Sequence, residues 1–201
     1  MALMTRDELV TLFRRSGALL DGHFRLSSGL HSSGYLQCAL VLQHPEHAEA
    51  LGRAIADKTR ALGATVVLSP ALGGVVIGHE VGRALGVRAI FAERVDGGLA
   101  LRRGFTLAAS DRVLVIEDVL TTGGSTRETM LVAKAAGGQV AGAASIVDRS
   151  GPSTSSGRAN DLGVPFASLL DIVLPTYEPA SCPLCAQGLP VVKPGSRPAL
   201  A

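Results

Sequence analysis

Hydrophobic positions follow two different spacings along this chain. Near the N-terminus, Leu9, Val10, Leu12 and Phe13 share one side of a helix predicted over residues 6–17. From residue 45 onward, short runs of β-branched residues and leucine alternate with stretches of helical spacing. Strands that alternate with helices are typical of a parallel sheet covered by helices, so we expect an α/β fold.

The alternation predicts one domain, residues 1–201, with a core over about 45–175. We expect hood strands within about 18–42, joined by a C-terminal segment, and a flexible tail over 190–201. The Ser- and Gly-rich stretch 150–160 is typical of a loop. The predicted core strands are 65–69, 87–92, 112–117, 139–147 and 166–173, and the predicted helices are 45–62, 74–85 and 125–136.

Composition narrows the class of protein. Apolar residues make up 47% of the chain and aromatic residues only 3%, so the core must consist of Leu, Val, Ala and Ile. A net charge of +2 is too small to suggest a nucleic-acid partner. No apolar run is long enough to span a bilayer, and the first residues lead directly into an amphipathic helix. We therefore expect a cytoplasmic protein with no membrane partner.

The segment 113–125, VLVIEDVLTTGGS, carries the most chemistry. A buried strand ends at two carboxylates, Glu117 and Asp118, and a hydroxyl- and glycine-rich loop precedes a helix. Ligands of open α/β sheets bind at the carboxyl ends of strands. The N-terminus of the following helix directs free N–H groups at an anion, so we expect a phosphate in the loop. The carboxylates could reach the hydroxyls of an attached sugar or a hydrated cation.

Two other phosphate motifs are excluded by the spacing. The loop has no lysine and no G-x-x-x-x-G-K-[ST] pattern, and it is not a G-x-G-x-x-G dinucleotide motif. The alternative interpretation is an ordinary strand–turn–helix unit whose acidic pair is merely solvated.

The same segment closely resembles the signature of the type I phosphoribosyltransferases. The resemblance implies an α/β fold with a central parallel sheet, flanking helices and a small N-terminal hood. It implies that Glu117 and Asp118 bind the ribose hydroxyls of phosphoribosyl pyrophosphate (PRPP) and serve catalysis. It implies that the 5-phosphate lies in the loop, and that Mg²⁺ is held mainly through PRPP rather than by protein ligands. The implied PRPP-binding residues of this segment are Glu117, Asp118, Val119, Leu120, Thr121, Thr122, Gly123, Gly124 and Ser125.

Residues 22–37, GHFRLSSGLHSSGYLQ, resemble the hood motif of the orotate phosphoribosyltransferases, and the Cys182-Pro-Leu-Cys185 tail resembles a bacterial subgroup of them. The resemblance implies a homodimer that converts orotate and PRPP to orotidine 5′-monophosphate and pyrophosphate, in the synthesis of UMP. It assigns the orotate carboxylate to Arg149, and places Thr121 and Tyr35 near the base. A guanidinium can hold a carboxylate through two parallel hydrogen bonds.

Each of these assignments has a structural alternative. Arg149 could form an exposed ion pair with Asp148, which would contribute little. Tyr35 and its neighbour Leu36 could both be core residues of a hood strand. Adjacent strand side chains point to opposite faces, so at least one of the two is expected to do so.

Two loops depart from the family pattern. Many orotate phosphoribosyltransferases carry lysines and a histidine in a mobile loop, whereas residues 91–104 here contain only arginines as cations: Arg94, Arg102 and Arg103. Arginine can stabilise a departing pyrophosphate but cannot release a proton. Of the three, Arg94 is our candidate for phosphate contact and catalysis. The pyrophosphate loop has Leu72-Gly73 in place of an aromatic–lysine pair, so the Gly73 backbone N–H is its candidate donor.

Three cysteines do not make a disulfide framework. Cys182 and Cys185 have the spacing of zinc ligands, but a structural zinc needs four. Two interpretations stay open: two tails of a dimer supply four thiolates, or the pair forms a reduced turn that packs on the core.

Two other functions compete with orotate transfer. One is a phosphoribosyltransferase for a purine or for uracil, against which the hood motif and Arg149 argue, because neutral bases need no carboxylate partner. The other is a PRPP-binding regulator of the same fold. A regulator should carry a basic DNA-binding appendage, and the sequence has none.

Overall fold

A computed structural model describes residues 4–26, 28–151 and 161–194. The helices are α1 (Arg6–Arg15), α2 (Ala39–Leu42), α3 (Pro45–Thr59), α4 (Gly73–Leu85), α5 (Gly124–Ala135) and α6 (Pro183–Ala186). The strands are β1 (Leu19–Arg25), β2 (His31–Leu36), β3 (Val66–Pro70), β4 (Arg88–Val95), β5 (Gly98–Leu101), β6 (Arg112–Leu120), β7 (Gln139–Asp148), β8 (Phe166–Asp171) and β9 (Thr176–Tyr177). Short 3₁₀ turns cover Arg60–Leu62 and Pro179–Ser181.

Two sheets organise these elements. The central sheet has six strands in the order β5-β4-β3-β6-β7-β8, and every pair is parallel except β4 with the edge strand β5. The second sheet, the hood, has the order β1-β2-β9 and is antiparallel. This arrangement confirms the predicted α/β architecture with a central parallel sheet and a small hood.

The core lies on both faces of the central sheet, as its sequence requires. The side chains of Val66, Val67 and Leu68 in β3 are completely buried, and so are those of residues 113–116 in β6. One apolar cluster joins β3 and β6 to α1, α3 and α4, and a second joins them to α5 and the β4–β5 pair. Strands buried on both faces read as continuous apolar runs, which is why these two were recognisable in the sequence.

The order of the central strands reverses between β3 and β6. From β3 the chain moves outward to β4, and from β6 it moves in the other direction to β7 and β8. The segments that follow β3 and β6 therefore diverge and leave a crevice at the carboxyl ends of these strands. Such reversal points are the usual ligand sites of open α/β sheets.

The C-terminal segment completes the hood. β9 pairs with β2, where Tyr177 lies opposite His31, and Val192 forms a further bridge with Phe24 of β1. Part of the tail predicted to be flexible, residues 190–194, thus lies against β1. Residues 195–201, most of the predicted loop 150–160 and Ser27 fall outside the described ranges.

Several predicted boundaries shift. The last part of the predicted hood-strand segment is the helix α2, and β8 ends at Asp171 rather than 173. The larger difference is residues 91–104, predicted as a mobile loop. Its first part continues β4 to Val95, turns through Asp96 and Gly97, and returns as β5. No helix in the described ranges is long and apolar enough to cross a bilayer.

Candidate active site

The two carboxylates of the central motif occupy the last part of β6. The strand continues past them to Leu120, because Val119 and Leu120 pair with Val147 and Asp148 of β7. Glu117 is only 8% exposed and lines a cavity of about 130 Å³, which is otherwise formed by residues 119–126. Burial raises the pKa of Glu117 to about 8, and the neighbouring charge of Asp118 adds to the shift. Glu117 therefore keeps its proton to a higher pH than an exposed glutamate does.

Asp118 faces a different part of the crevice. Its Oδ1 accepts a hydrogen bond of 2.8 Å from the backbone N–H of Val119. Its carboxylate also lies against Gly73, the first residue of α4. Asp118 thus connects the end of β6 with the segment that follows β3.

The loop after β6 has the form of an anion site. Gly123 adopts a left-handed conformation with φ +74°, and α5 begins at the next residue. The first N–H groups of a helix have no backbone partner within it, and this turn lines the cavity. Within the turn, the Gly124 N–H donates a long hydrogen bond of 3.4 Å to Thr122 Oγ1. Arg127 of α5 donates a hydrogen bond of 2.8 Å to the Thr122 carbonyl oxygen and so braces the loop. The structure therefore brings Glu117 and the whole segment Thr121–Ser125 to one small polar cavity.

The start of α4 provides a second helix N-terminus beside the first. The peptide bond between Ala71 and Leu72 is cis, and α4 begins at Gly73. Gly74 and Gly78 allow α4 to approach the sheet closely. A Cβ on Gly74 would lie 2.8 Å from the Ile116 carbonyl oxygen, and one on Gly78 would lie 2.0 Å from Ser69 Oγ. Two helix N-termini thus converge on the crevice between β3 and β6.

Arg149 lies next to the loop that follows β6. It follows β7 directly, and its backbone N–H donates a hydrogen bond of 2.8 Å to the Leu120 carbonyl oxygen. Its Nε is buried and has no hydrogen-bond partner among the described residues, and burial lowers the pKa of the guanidinium. A buried guanidinium nitrogen therefore faces the interior at the end of β7.

The two hood residues Tyr35 and Leu36 both make packing contacts. The Tyr35 ring contacts the ring of Phe24, with centroids 5.8 Å apart, and Leu36 packs against the main apolar cluster. For Leu36 this packing agrees with the core alternative. For Tyr35 the contact lies within the hood, and its place beside a base stays a prediction.

Two of the three arginines of segment 91–104 are already paired. Arg94 Nη2 lies 3.0 Å from Glu128 Oε2 of α5, and its Nη1 also donates to the Gly97 carbonyl oxygen at 2.8 Å. Arg103 donates two hydrogen bonds of 2.8 Å to Glu93. Arg102 is exposed. Arg94 lies in β4, and its partner Glu128 is in the helix that follows the phosphate loop, so the pair links the hairpin to the site.

A larger groove, of about 650 Å³, lies elsewhere. It is formed by residues of α1 together with His44 and His47. None of the predicted site residues lines it, so its size does not bear on the chemistry at β6.

The chain is similar to known proteins both in sequence and in structure. No family model matches the chain. The orotate phosphoribosyltransferase of Pelotomaculum thermopropionicum is 54% identical over 194 residues, which cover 96% of this chain and 99% of that protein. That of Carboxydothermus hydrogenoformans is 53% identical over 192 residues, covering 94% and 97%. The Mycobacterium tuberculosis orotate phosphoribosyltransferase in complex with PRPP has 27% identity and a TM-score of 0.62, covering 83% of this chain and 95% of that one.

Proposed function

The chain belongs to the orotate phosphoribosyltransferases, and we propose that it transfers the 5-phosphoribosyl group of PRPP to orotate at the crevice between β3 and β6. The products would be orotidine 5′-monophosphate and pyrophosphate. One observation carries the assignment of the site: two helix N-termini, those of α4 and α5, begin at adjacent parallel strands with the Glu117–Asp118 pair between them. PRPP is a sugar with an anionic group at each end, so it suits two such anion sites.

The proposed orientation follows from the two ends of the substrate. The 5-phosphate lies in the cavity at Thr121–Ser125, which is lined by the N-terminus of α5 and the hydroxyl-bearing residues of the loop. The pyrophosphate lies toward Gly73 at the start of α4. Asp118, which contacts Gly73, then lies beside the ribose that joins these two ends. A neutral Glu117 can donate its O–H to a substrate oxygen without repelling the phosphate charge.

The proposed binding site of orotate is formed by Arg149 and Thr121. The buried, unpartnered Nε of Arg149 is a donor that a ring carboxylate would satisfy. The N–H of the same residue is bonded to Leu120, which directly precedes Thr121, so base and 5-phosphate would lie at adjoining places. In the reaction the bond from ribose C1 to pyrophosphate breaks, the N1–C1 bond forms, and the N1 proton is released. The protein positions both reactants and stabilises the leaving group.

Mg²⁺ belongs to the proposal as a partner of the substrate. Hard oxygen donors suit this ion, and the carboxylate of Asp118 lies at the crevice. A single carboxylate is too few to complete the coordination sphere, which fits an ion held mainly by PRPP oxygens and water. When bound, Mg²⁺ would neutralise negative charge on the departing pyrophosphate.

A homodimer and a cytoplasmic location complete the proposal. Leu72 is 87% exposed, and Val76, one turn further along α4, is 46% exposed. Large exposed apolar side chains that adjoin each other at a site support burial by a second copy. Light scattering on the purified protein tests this, and a mass of one chain would contradict it.

The Glu117→Gln/Asp118→Asn double variant tests the site. It should lose most orotate turnover in the presence of PRPP and Mg²⁺, while its circular dichroism spectrum stays that of the parent. Parental activity in the double variant would disprove this location of the active site.

A further inference from the structure

A cluster of four metal-binding side chains lies in the hood, away from the crevice. His23 belongs to β1 and His31 to β2, while Cys182 precedes α6 and Cys185 lies within it. One ligand atom of each of the four lies within 4.8 Å of the others. None of these residues lines the cavity at the phosphate loop. The transfer reaction proposed above therefore does not account for them.

The local structure brings the two histidines together. The register of β1 against β2 shifts between Asp21 and Phe24, so β1 is irregular at His23 and both His23 and Phe24 are buried. This places the His23 ring beside that of His31, with centroids 4.7 Å apart. The two cysteines are separated by one helical turn, and both thiols lie beside these rings.

Three distances between the ligand atoms match those of a tetrahedral site. Bonds of zinc to nitrogen and sulfur imply ligand-to-ligand distances of roughly 3.3–3.8 Å. His23 Nε2 lies 3.5 Å from Cys182 Sγ and 3.8 Å from Cys185 Sγ, and His31 Nδ1 lies 3.3 Å from Cys185 Sγ. The two histidine nitrogens are 2.9 Å apart, which is a hydrogen-bond distance. A small adjustment of one ring would bring this last pair into the same range.

The hydrogen bond of His23 leaves its ligand atom free to bind a cation. His23 Nδ1 lies 2.9 Å from the Leu189 carbonyl oxygen, which can only accept, so Nδ1 carries the proton. The lone pair is therefore on Nε2, and three groups surround it: His31 Nδ1, Cys182 Sγ and Cys185 Sγ. One lone pair serves one good hydrogen bond, whereas a cation at the centre would accept electron pairs from all four atoms. A carbonyl that orients the other ring nitrogen is a common feature around metal-bound histidine.

We propose that His23, His31, Cys182 and Cys185 bind one structural Zn²⁺ per chain. Two thiolates and two imidazoles in a tetrahedral arrangement select zinc among the common divalent ions. Four protein ligands fill the coordination sphere, so the ion would support structure and not chemistry. Three of the ligands are buried and Cys185 is exposed, which leaves an approach for the ion. The set comes from a single chain, unlike the four thiolates from two tails considered from the sequence.

The proposed ion would anchor a segment that has few other attachments. β9 contains only Thr176 and Tyr177, and α6 has no buried residue within its four positions. Downstream, Leu189, Val191 and Val192 are 43–51% exposed. A segment with so little apolar burial gains most from a metal crosslink. Zinc would join it to the β1–β2 hairpin and hold the hood in shape.

Metal analysis of the purified chain tests the proposal directly. The protein is prepared without a histidine tag or chelator from cells supplied with zinc, and metals are counted by inductively coupled plasma mass spectrometry. We expect about one zinc per chain. Replacement by Co²⁺ should give thiolate-to-cobalt charge-transfer absorption and the intense d–d bands of a tetrahedral site. Both measurements use the parent protein, so they do not depend on whether a variant folds.

Cysteine variants identify the ligands. Cys182→Ala and Cys185→Ala should lose zinc and the cobalt–thiolate bands, whereas Cys38→Ala, the matched control from the apolar core, should retain both. The proposal is overturned by zinc-free parent protein that yields no thiolate–cobalt absorption, or by a Cys182–Cys185 disulfide in its intact mass. One zinc per two chains would also overturn it, because that ratio indicates ligands shared between two tails.

Discussion

The carboxylate of Asp118 lies directly over the α-carbon of Gly73. A Cβ built on Gly73 would lie 2.8 Å from Asp118 Oδ1 and 2.9 Å from Oδ2, too close for any side chain to be accepted without movement. Glycine at 73 therefore allows the end of β6 and the start of α4 to touch. This contact fixes the distance between the two anion sites of the proposed PRPP site.

Gly73→Ala should reduce turnover by roughly 10- to 100-fold, because a carboxylate displaced by about an ångström loses its alignment with the substrate. Alanine is favourable in a helix, so the thermal midpoint should change little. Gly98→Ala is the matched control, since its Cβ would meet only ordinary contacts, with Glu128 Oε1 at 3.7 Å. Steady-state assays of both variants check this, and equal activity would mean that the Asp118 position is not critical.

Glu117 should give stability a characteristic pH dependence. Its pKa is about 8 in the folded chain against a usual 4.5, so the folded chain keeps a proton that the unfolded chain has released. The contribution of Glu117 to the free energy of unfolding is then complete below about pH 4.5 and is lost as the pH rises toward about 8. At about pH 9 the free energy of unfolding of Glu117→Gln should exceed that of the parent by up to about 5 kcal/mol, and at about pH 6 by only about 2 kcal/mol.

Urea unfolding at these two pH values measures the difference. Glu46→Gln, at an exposed position in the first turn of α3, is the control for removing a carboxylate. If the parent and Glu117→Gln keep the same difference at both values, Glu117 does not hold a proton in the folded protein.

Arg149→Gln should weaken orotate use specifically. Loss of a charged hydrogen bond to the ring carboxylate should lower kcat/KM for orotate roughly 10- to 100-fold. KM for PRPP should stay near that of the parent. Arg60→Gln removes an exposed arginine from the surface and serves as the control. A rise in KM for PRPP with unchanged KM for orotate would reassign Arg149 to phosphate binding.

The Arg94–Glu128 pair provides a test of the hairpin. If Arg94 turns from Glu128 to the pyrophosphate on binding, Arg94→Ala should raise KM for PRPP several-fold. Glu128→Gln should lower KM for PRPP, because the Arg94 guanidinium would no longer have to break an ion pair in order to reach the pyrophosphate. The amide oxygen of the glutamine can still accept the Leu99 N–H. Arg103→Ala, at the Glu93 pair, is the comparison. An unchanged KM for PRPP in Arg94→Ala would mean that Arg94 stabilises the hairpin and does not bind PRPP.

Local sequence was enough to predict the strand, loop and helix that form the candidate phosphate site. The strand, the acidic pair, the loop and α5 are consecutive, and each is specified by residues within it. The end of β6 was misplaced because Val119 and Leu120 are held as strand by pairing with β7, which lies elsewhere in the sequence. The hairpin of β4 and β5 was missed for a similar reason. It is fixed by Glu128 of α5, which accepts the N–H of Leu99.

The histidines of the hood show the same limit. The spacing of Cys182 and Cys185 suggested zinc, but the sequence offered no second pair of cysteines. His23 and His31 were part of the recognised hood motif, yet 154 positions separate His31 from Cys185. Only the docking of α6 on the β1–β2 hairpin brings them together. The two histidines within the predicted hood strands were the available signal.

Orotate consumption by the purified protein, with PRPP and Mg²⁺, tests the central claim most directly. Uracil and hypoxanthine run in parallel as neutral bases. The account predicts that orotate alone is consumed and that orotidine 5′-monophosphate and pyrophosphate appear in equal amounts. Turnover of a neutral base instead, or PRPP binding without turnover of any base, would contradict it and point to another transferase or to a regulator.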